Sequence, residues 1–310
     1  MWNKFPNPRD LDRERFQRDL EQPLPQREYV MYFTPRSGSS WVADVVGKTR
    51  RLSIPGEAFN PNFLPKMTQS YNAANMEEYC AILRRRRNTK GVFGFQITHH
   101  QLAAVFRSED DFLTRFPSPD CFWLIRKDIV LQAVSLYKMQ QTQIAHAPHA
   151  TPEEILRREA LFTYDGKAIR QWLQHILVAE IATEKMFARV GLAPMRMSYE
   201  QNIKLRSNQV TYVMEQHLKL PSPKIKPAPS GHDKIATAAN ENFATRFRAE
   251  NAAFMQEVEA KRAAMLGKLH SYGPQAGAEI AAPPPDTGAT QKEGRSLLHM
   301  ARNAANMWRR

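Results

Sequence analysis

Residues 34–40 combine the side chains and the glycine that proteins use to hold a phosphate or a sulfate. The segment, Thr-Pro-Arg-Ser-Gly-Ser-Ser, follows an apolar run near the start of the chain. Glycine lets the backbone approach an anion closely, arginine supplies a planar fork of N–H donors, and serine hydroxyls add more donors. If a helix begins directly afterwards, its free N–H groups and its dipole favour an anion there. The candidate anion-binding residues are Arg36, Ser37, Gly38, Ser39 and Ser40.

The same segment also fits a less specific interpretation, a strand-to-helix turn that merely caps a helix, with Ser39 or Ser40 near the N-cap. It is not the Walker A loop of ATPases and GTPases, because the first glycine and the lysine of that motif are missing. No glycine-rich dinucleotide fingerprint follows the first apolar run either. These absences disfavour an ATPase or a GTPase.

A second pair of candidate anion ligands lies further along the chain. Arg126 directly follows the apolar run Cys-Phe-Trp-Leu-Ile, and Ser135 lies nine residues later. If a helix begins between them, nine residues correspond to about two and a half helical turns. A guanidinium and a hydroxyl from adjacent elements would then meet one phosphate. The alternative is an ordinary surface arginine and an ordinary helix serine.

The elements that must position these residues are visible as apolar runs and amphipathic stretches. Short runs rich in aromatic and branched residues are typical of strands buried on both faces of a parallel sheet. The sequence predicts such strands at 28–34, 91–97, 121–125 and 190–198, and helices at 11–20, 41–46, 76–87, 129–143, 151–189 and 236–269.

Strands that alternate with helices predict an α/β fold, a three-layer αβα arrangement with a central parallel sheet, similar in outline to P-loop kinases. Residues 1–27 are polar and interrupted by proline, so we interpret them as an N-terminal arm on the domain. The catalytic domain is expected at 28–269. Residues 270–294 are predicted to be a flexible linker rich in Pro, Gly and Ala, and residues 295–310 a basic amphipathic helix.

Taken together, the two candidate anion loops resemble those of carbohydrate sulfotransferases of the trehalose-sulfotransferase type. The resemblance rests on Thr-Pro-Arg-Ser-Gly-Ser-Ser-Trp after the first strand and on Arg-Lys-Asp-x-x-x-Gln-Ala-Val-Ser after the third, and it covers roughly residues 28–250. It implies 3′-phosphoadenosine 5′-phosphosulfate (PAPS) as the donor. It also implies that residues 36–40 hold the 5′-phosphosulfate and that Arg126 and Ser135 hold the 3′-phosphate.

The resemblance also suggests a general base. Sulfuryl transfer to a hydroxyl releases a proton, and the family places a glutamate in a similar Pro-x-Glu-Phe segment. Glu57, in a Pro-Gly-Glu turn, matches best. Because one form of the family has two glutamates here and this chain has one, Glu57 matches either the base or its substrate-binding neighbour; the alternative is an exposed turn residue. His99 and His100 are alternative bases or acceptor-orienting residues.

Two further features have open interpretations. Tyr199 and Glu200 resemble a Tyr-Glu pair found at this place in many sulfotransferases, and we interpret them as packing residues. Residues 84–87 are four consecutive arginines, which are either a solvated face or a dock for an anionic acceptor.

Composition narrows the function classes that remain. The 310 residues include 44 Lys and Arg against 31 Asp and Glu, a net charge of +13, which favours polyanionic partners. No apolar run approaches the roughly 18 residues that span a bilayer, and we expect no secretory signal. The two cysteines, Cys80 and Cys121, suit a reducing compartment such as the cytoplasm. No His/Cys/carboxylate cluster has metal-ligand spacing, so we expect no metal.

We therefore expect a PAPS-dependent sulfotransferase with a carbohydrate or glycolipid acceptor. A homodimer is expected by analogy, and nucleic acid is not expected as a partner. The C-terminal helix would contact the inner face of the membrane peripherally, or be a disordered tail or a docked helix. Two alternatives remain: a nucleotide-dependent kinase on the same scaffold, and a non-enzymatic binder of nucleic acid or anionic membrane.

Overall fold

The computed structural model describes residues 2–117, 119–143, 152–221 and 237–272. These residues form one sheet of four strands, in the order β2-β1-β3-β4, with every neighbouring pair parallel. The strands are β1 (Arg27–Phe33), β2 (Val92–Ile97), β3 (Asp120–Ile125) and β4 (Met195–Ser198). The helices are α1 (Arg13–Leu20), α2 (Ser39–Lys48), α3 (Leu64–Ser70), α4 (Met76–Arg86), α5 (His99–Val105), α6 (Glu109–Arg115), α7 (Ile129–Thr142), α8 (Pro152–Glu159), α9 (Gly166–Val190), α10 (Tyr199–Asn202), α11 (Ser207–His217), α12 (Ala238–Glu250) and α13 (Ala252–Gly267).

Both faces of the sheet are covered, which explains why its strands are mostly apolar. Side chains alternate between the faces along each strand. Met31 and Phe33 of β1 pack with α2 and α11 on one face, whereas Val30 and Tyr32 pack on the other face with a larger cluster that includes residues of α4, α6, α9 and α13. The predicted three-layer α/β fold with a central parallel sheet is confirmed.

A third hydrophobic cluster lies among α7, α9, α12 and α13. Ala133 and Leu136 of α7 pack with Ile169 of α9 and Phe247 of α12, all of them buried. This cluster fixes α7, whose first turns approach the loop between β1 and α2. The helix bundle therefore positions residues 126–135 against the anion-binding segment.

The structure corrects several predicted boundaries. The fourth strand is only Met195–Ser198, because α9 continues to Val190 and ends at Gly191 in the left-handed conformation with φ 69°. The predicted helix 236–269 is two helices that meet at Asn251, and the predicted helix 151–189 is also two, α8 and α9. In both predicted helices, the apolar periodicity of the sequence continues across the point where one helix ends and the next begins.

The N-terminal segment packs on α4. Arg13 of α1 forms two hydrogen bonds to the carboxylate of Glu78, at 2.8 and 3.0 Å, and Trp2 is 8% exposed. The four consecutive arginines contact the chain itself: Arg84 pairs with Glu28 at 2.7 Å, and the other three contact residues of the N-terminal segment or of the α3–α4 region. The flexible linker predicted from residue 270 starts too early, because residues 270–272 pack on the domain: the backbone N–H of His270 donates to the Arg196 carbonyl at 3.0 Å, and the Tyr272 hydroxyl donates to Asn202 Oδ1 at 2.6 Å. The rest of the predicted linker and the predicted C-terminal helix lie outside the described residues.

Within the described part of the chain, no helix combines the length and apolarity that crossing a membrane requires.

Gly94 of β2 lies directly against the ring of Tyr29 in the neighbouring strand. A Cβ atom at this position would lie 2.1 Å from that ring, and Tyr29 is fully buried, with its hydroxyl donating to the Ser53 carbonyl at 2.7 Å. We expect Gly94→Ala to lower the free energy of unfolding by about 1–3 kcal/mol, the usual cost of overpacking. Urea denaturation measures the change.

Gly267→Ala is the matched control, because a Cβ atom at the last residue of α13 meets no atom within 4 Å. We expect it to leave stability unchanged or slightly higher, since alanine favours helix more than glycine does. Equal stability of the two variants would contradict the tight Gly94–Tyr29 contact.

Candidate functional site

The segment between β1 and α2 takes a conformation that exposes the start of α2. Arg36 and Gly38 are both in the left-handed region, with φ 65° and 87°. The N-cap of α2 is Gly38, and among the described residues no side chain caps this end. Ser39, predicted to lie near the N-cap, directly follows it as the first residue of the helix, because the chain turns at the glycine. The N–H groups of the first turn are left for a ligand.

Gly38 is required by space as well as by backbone conformation. A Cβ atom there would lie 2.6 Å from the ring of Tyr199 at the start of α10. The loop and the segment that follows β4 are therefore in direct contact. Since β1 and β4 are separated by β3 in the sheet, this contact spans the carboxyl end of β3.

The structure brings the two predicted anion sites together. The Nε atom of Arg36 donates to the hydroxyl oxygen of Ser135 at 3.0 Å, and Nη1 of Arg126 donates to the carbonyl oxygen of Arg36 at 3.3 Å. Gln132, one turn before Ser135, is fully buried and donates to Thr34 Oγ1 at 2.8 Å and to the Pro35 carbonyl at 2.7 Å. Helix α7 thus holds the loop along two of its turns.

The electrostatics of this cluster favour an anion. Burial lowers the pKa of Arg36, and the neighbouring positive charge of Arg126 lowers it further. Two buried donor atoms here, Ser37 Oγ and Arg126 Nε, have no hydrogen-bond partner in the described part of the chain, although Ser37 is 0% exposed; the acceptor Gln132 Oε1 has none there either. Because buried polar groups in proteins are almost always hydrogen-bonded, the two donors indicate a place where a ligand supplies acceptors.

Tyr199 and Glu200 hold Arg126 and the residues after it. The guanidinium of Arg126 lies over the ring of Tyr199, 4.8 Å from its centroid. The carboxylate of Glu200 accepts hydrogen bonds from the backbone N–H groups of Lys127 and Asp128, at 2.9 and 3.1 Å. Tyr199 and Glu200 therefore position Arg126, a candidate anion-binding residue, through ring packing and backbone contacts.

The opposite side of the same loop is held by a buried ion pair. Arg262 of α13 donates to the carbonyl oxygens of Arg126 at 2.7 Å and of Lys127 at 2.8 Å. Its remaining N–H groups bind both carboxylate oxygens of Glu180 in α9, at 2.7 and 3.0 Å. Glu180 is 1% exposed, and burial raises its pKa while the charge of Arg262 opposes that rise.

Glu57 lies beside the outer edge of β2. Gly56 forms a parallel bridge with Phe95, in which its carbonyl accepts from the N–H of Gln96 at 3.1 Å. The Glu57 carboxylate is half-buried, and its Oε2 atom accepts hydrogen bonds from the side-chain amides of Asn60, at 2.8 Å, and Gln101, at 2.6 Å. Glu57 thus lies at the same end of the sheet as the arginine cluster.

His99 and His100, the two alternative candidate bases, contact residues outside the arginine cluster and the surroundings of Glu57. His99 Nε2 lies 3.3 Å from Glu109 Oε1, and Glu109 is also paired with Arg189. His100 stacks on His175 of α9, with the ring centroids 3.9 Å apart. The pKa of His175 is lowered by burial and by His100.

Comparison with known proteins decides the family. A family model described as Stf0 sulphotransferase matches residues 28–250, the same span that the resemblance of the two anion loops covered. The chain belongs to the Stf0 sulphotransferase family. A comparison with curated proteins finds no match.

Membership of the Stf0 sulphotransferase family confirms the resemblance and gives sulfuryl transfer as the general activity, which requires a sulfonate donor and an acceptor. Among the residues that the structure describes, no group of three or more His, Cys, Asp or Glu side chains could hold a metal ion.

In this Stf0 sulphotransferase, sequence analysis assigned no role to four residues that support the site: Gln132, Asn60, Gln101 and Arg262. Gln132 is part of the motif Arg-Lys-Asp-x-x-x-Gln-Ala-Val-Ser, and Gln101 left a local signal of its own. Thr98 and Gln101 form a capping box at the start of α5, a pattern visible in sequence as threonine followed three residues later by glutamine. Arg262 left none, since it acts on backbone atoms 135 and 136 residues away and lies beyond the matched span.

We expect Arg262→Met to destabilise the protein strongly, because it leaves the buried carboxylate of Glu180 without its cation. Removing one partner of a buried ion pair costs about 3–5 kcal/mol. Urea denaturation followed by tryptophan fluorescence measures this loss.

The double variant Glu180→Leu plus Arg262→Met is the control, because no unpaired charge then remains buried. We expect it to recover much of the lost stability. An equal loss in the single and double variants would show that the ion pair itself is not what the arginine substitution disrupts.

Proposed function

We propose that this chain transfers the sulfuryl group of PAPS to a hydroxyl group of a carbohydrate or glycolipid. The observation that carries the proposal is the half-buried arginine pair, Arg36 and Arg126, which lies with an uncapped helix start at the carboxyl end of a parallel sheet. In α/β sheets this end is where ligands bind. Fixed positive charges and unpaired donors suit a ligand with several phosphate and sulfate oxygens.

Each candidate residue has a role in this proposal. Arg36, with Ser37 and the N–H groups of residues 38–40, holds the 5′-phosphosulfate and stabilises the charge that develops on the leaving phosphate. Arg126 and Ser135 hold the 3′-phosphate. Because Ser135 is hydrogen-bonded to Arg36 in the structure, the two ends of the donor would be linked through these two side chains.

Glu57 is the proposed general base. As the acceptor oxygen forms its bond to sulfur, the bond between sulfur and the bridging phosphate oxygen breaks, adenosine 3′,5′-bisphosphate leaves, and Glu57 takes the acceptor proton. Gly56 is separated from β1 by β2, two inter-strand spacings or roughly 10 Å. That span leaves room for a sulfuryl group and an acceptor hydroxyl between Glu57 and the arginine pair.

We further propose that residues 28–269 form the catalytic domain with residues 1–27 as an arm, and that the enzyme acts in the cytoplasm. The contact of Arg262 with the residue 126–127 backbone supports including α13. Cys80 and Cys121 are free and buried, which fits a reducing compartment. The expected homodimer and the membrane contact of residues 295–310 stay predictions.

Glu57→Gln tests the base, because it keeps the side-chain shape and removes basicity. We expect turnover to fall about 10²–10⁴-fold, with donor affinity nearly intact. The measurement is release of adenosine 3′,5′-bisphosphate from PAPS, with trehalose or octyl glucoside as acceptor, alongside donor binding by calorimetry.

Glu77→Gln, the same change at an exposed position of α4, is the control and should leave both quantities unchanged. Unchanged turnover in Glu57→Gln would move the base to His99 or His100. Failure of both sugars as acceptors would contradict a carbohydrate acceptor.

Arg126→Ala tests recognition of the 3′-phosphate. We expect it to weaken binding of adenosine 3′,5′-bisphosphate by about 2–4 kcal/mol, the scale for a partly buried charged contact. Adenosine 5′-phosphosulfate lacks the 3′-phosphate, so its affinity should hardly change. Calorimetry with both ligands measures the difference.

Lys127→Ala is the matched control, because it removes the same charge from the next residue, whose side chain is exposed. Equal losses for the two ligands in Arg126→Ala would show that this arginine does not read the 3′-phosphate.

A further inference from the structure

The carboxylate of Glu57 is held through one of its two oxygens. Oε2 accepts two hydrogen bonds, from Asn60 Nδ2 at 2.8 Å and from Gln101 Nε2 at 2.6 Å. Oε1 has no donor among the residues that the structure describes, and no lysine or arginine there forms an ion pair with Glu57. The two oxygens of this carboxylate are therefore in different environments.

Gln101 is itself fixed at both ends of its amide. Its Oε1 atom accepts the backbone N–H of Thr98 at 3.0 Å, while Thr98 Oγ1 accepts the backbone N–H of Gln101 at 3.0 Å. A backbone N–H is only a donor, so the oxygen of the Gln101 amide must face Thr98. The NH₂ group must then face Glu57, and the amide cannot reverse without losing both contacts.

Helix capping alone does not explain why residue 101 is glutamine. A capping box is completed equally well by glutamate or glutamine, because either side chain accepts the N–H of the capping residue. Only glutamine also carries a donor for Glu57. A glutamate at this position would cap α5 and at the same time place a second negative charge against the first.

We infer that Gln101 is a positioning residue for proton transfer, which fixes Oε2 of Glu57 and leaves Oε1 as the oxygen that takes the proton of the acceptor hydroxyl. The inference rests on the proposed function of Glu57. Misplacing a reacting group by about 1 Å can lower a rate about 100-fold. The expected effect therefore falls on kcat rather than on donor affinity.

Two substitutions separate the positioning role from the capping role. Gln101→Leu removes both contacts of the amide, and Gln101→Glu keeps the acceptor for Thr98 but removes the donor to Glu57. We expect both to lower kcat about 10–100-fold with donor affinity unchanged. Thr98→Val is the matched control: it removes the hydroxyl half of the capping box and leaves the Gln101–Glu57 bond, so kcat should change less than threefold.

The decisive measurement repeats Gln101→Leu in the Glu57→Gln background. If Gln101 acts through Glu57, the substitution has almost no further effect on kcat once the base is gone. An equal reduction in both backgrounds would overturn the inference and leave Gln101 a structural role only. Glu57→Gln alone tests whether Glu57 is the base. Unchanged turnover in that variant would contradict the proposed role of Glu57, and this outcome is distinct from a failure of the inference about Gln101.

A crystal structure of Gln101→Leu gives a second readout that needs no acceptor. We expect the Glu57 side chain to leave its present rotamer or to become disordered, whereas in Thr98→Val it stays in place. A Glu57 carboxylate that keeps its position without Gln101 would overturn the inference regardless of the kinetics.

Discussion

Arg36 and Arg126 bring two positive charges to one end of an apolar sheet, and most of the polar contacts near them hold these two groups in place. Like charges at close range repel, and burial of Arg36 weakens the solvent screening that would relieve the repulsion. The contacts that hold the two groups in place come from three parts of the fold: Ser135 and Gln132 from α7, Tyr199 and Glu200 after β4, and Arg262 from α13. An anion bound between the two arginines replaces the repulsion with attraction.

In the described part of the chain, Glu57, the proposed base, is held by neutral groups and not by charged ones. Two neutral amides contact Glu57, and the described residues place no cation in an ion pair with it. A cation there would compete for the carboxylate and weaken it as a proton acceptor, whereas an amide orients it at lower electrostatic cost. In the proposed mechanism, positive charge is therefore concentrated where the sulfonate donor would bind, and neutral hydrogen-bond donors hold the proposed base.

The strands and the two anion loops were predictable because their signals are local. An apolar run followed by small residues marks a buried strand and the turn after it, and β1, β2 and β3 lie within one residue of their predicted bounds. The N-cap at Gly38 was not predictable, since a serine caps a helix only where the backbone allows it, and here the chain turns one residue earlier. The overlong fourth strand arose because a helix end and a strand start are both apolar at residues 190–198.

The contacts that assemble the site were beyond sequence analysis for a different reason. Arg36 and Ser135 are 99 residues apart, and Gln101 and Glu57 are 44 apart. Local motifs single out Arg36, Ser135 and Glu57 one by one, but only the folded topology shows which of these side chains contact one another and that Gln101 contacts Glu57. His99 and His100, which are conspicuous in sequence, contact Glu109 and His175 instead, while the inconspicuous glutamine beside them contacts the candidate base.

The bond from Arg262 to the backbone of residues 126 and 127 also sets an order on events during protein synthesis. The N-terminus of a protein leaves the ribosome first, so the sheet and α7 emerge long before α13 does. Until then, Glu180 has no cationic partner and the carbonyls of the loop have no donor. The nascent chain therefore emerges with most of its core but without the contacts that complete the candidate site, and it gains those contacts only when nearly all of the described sequence has been translated.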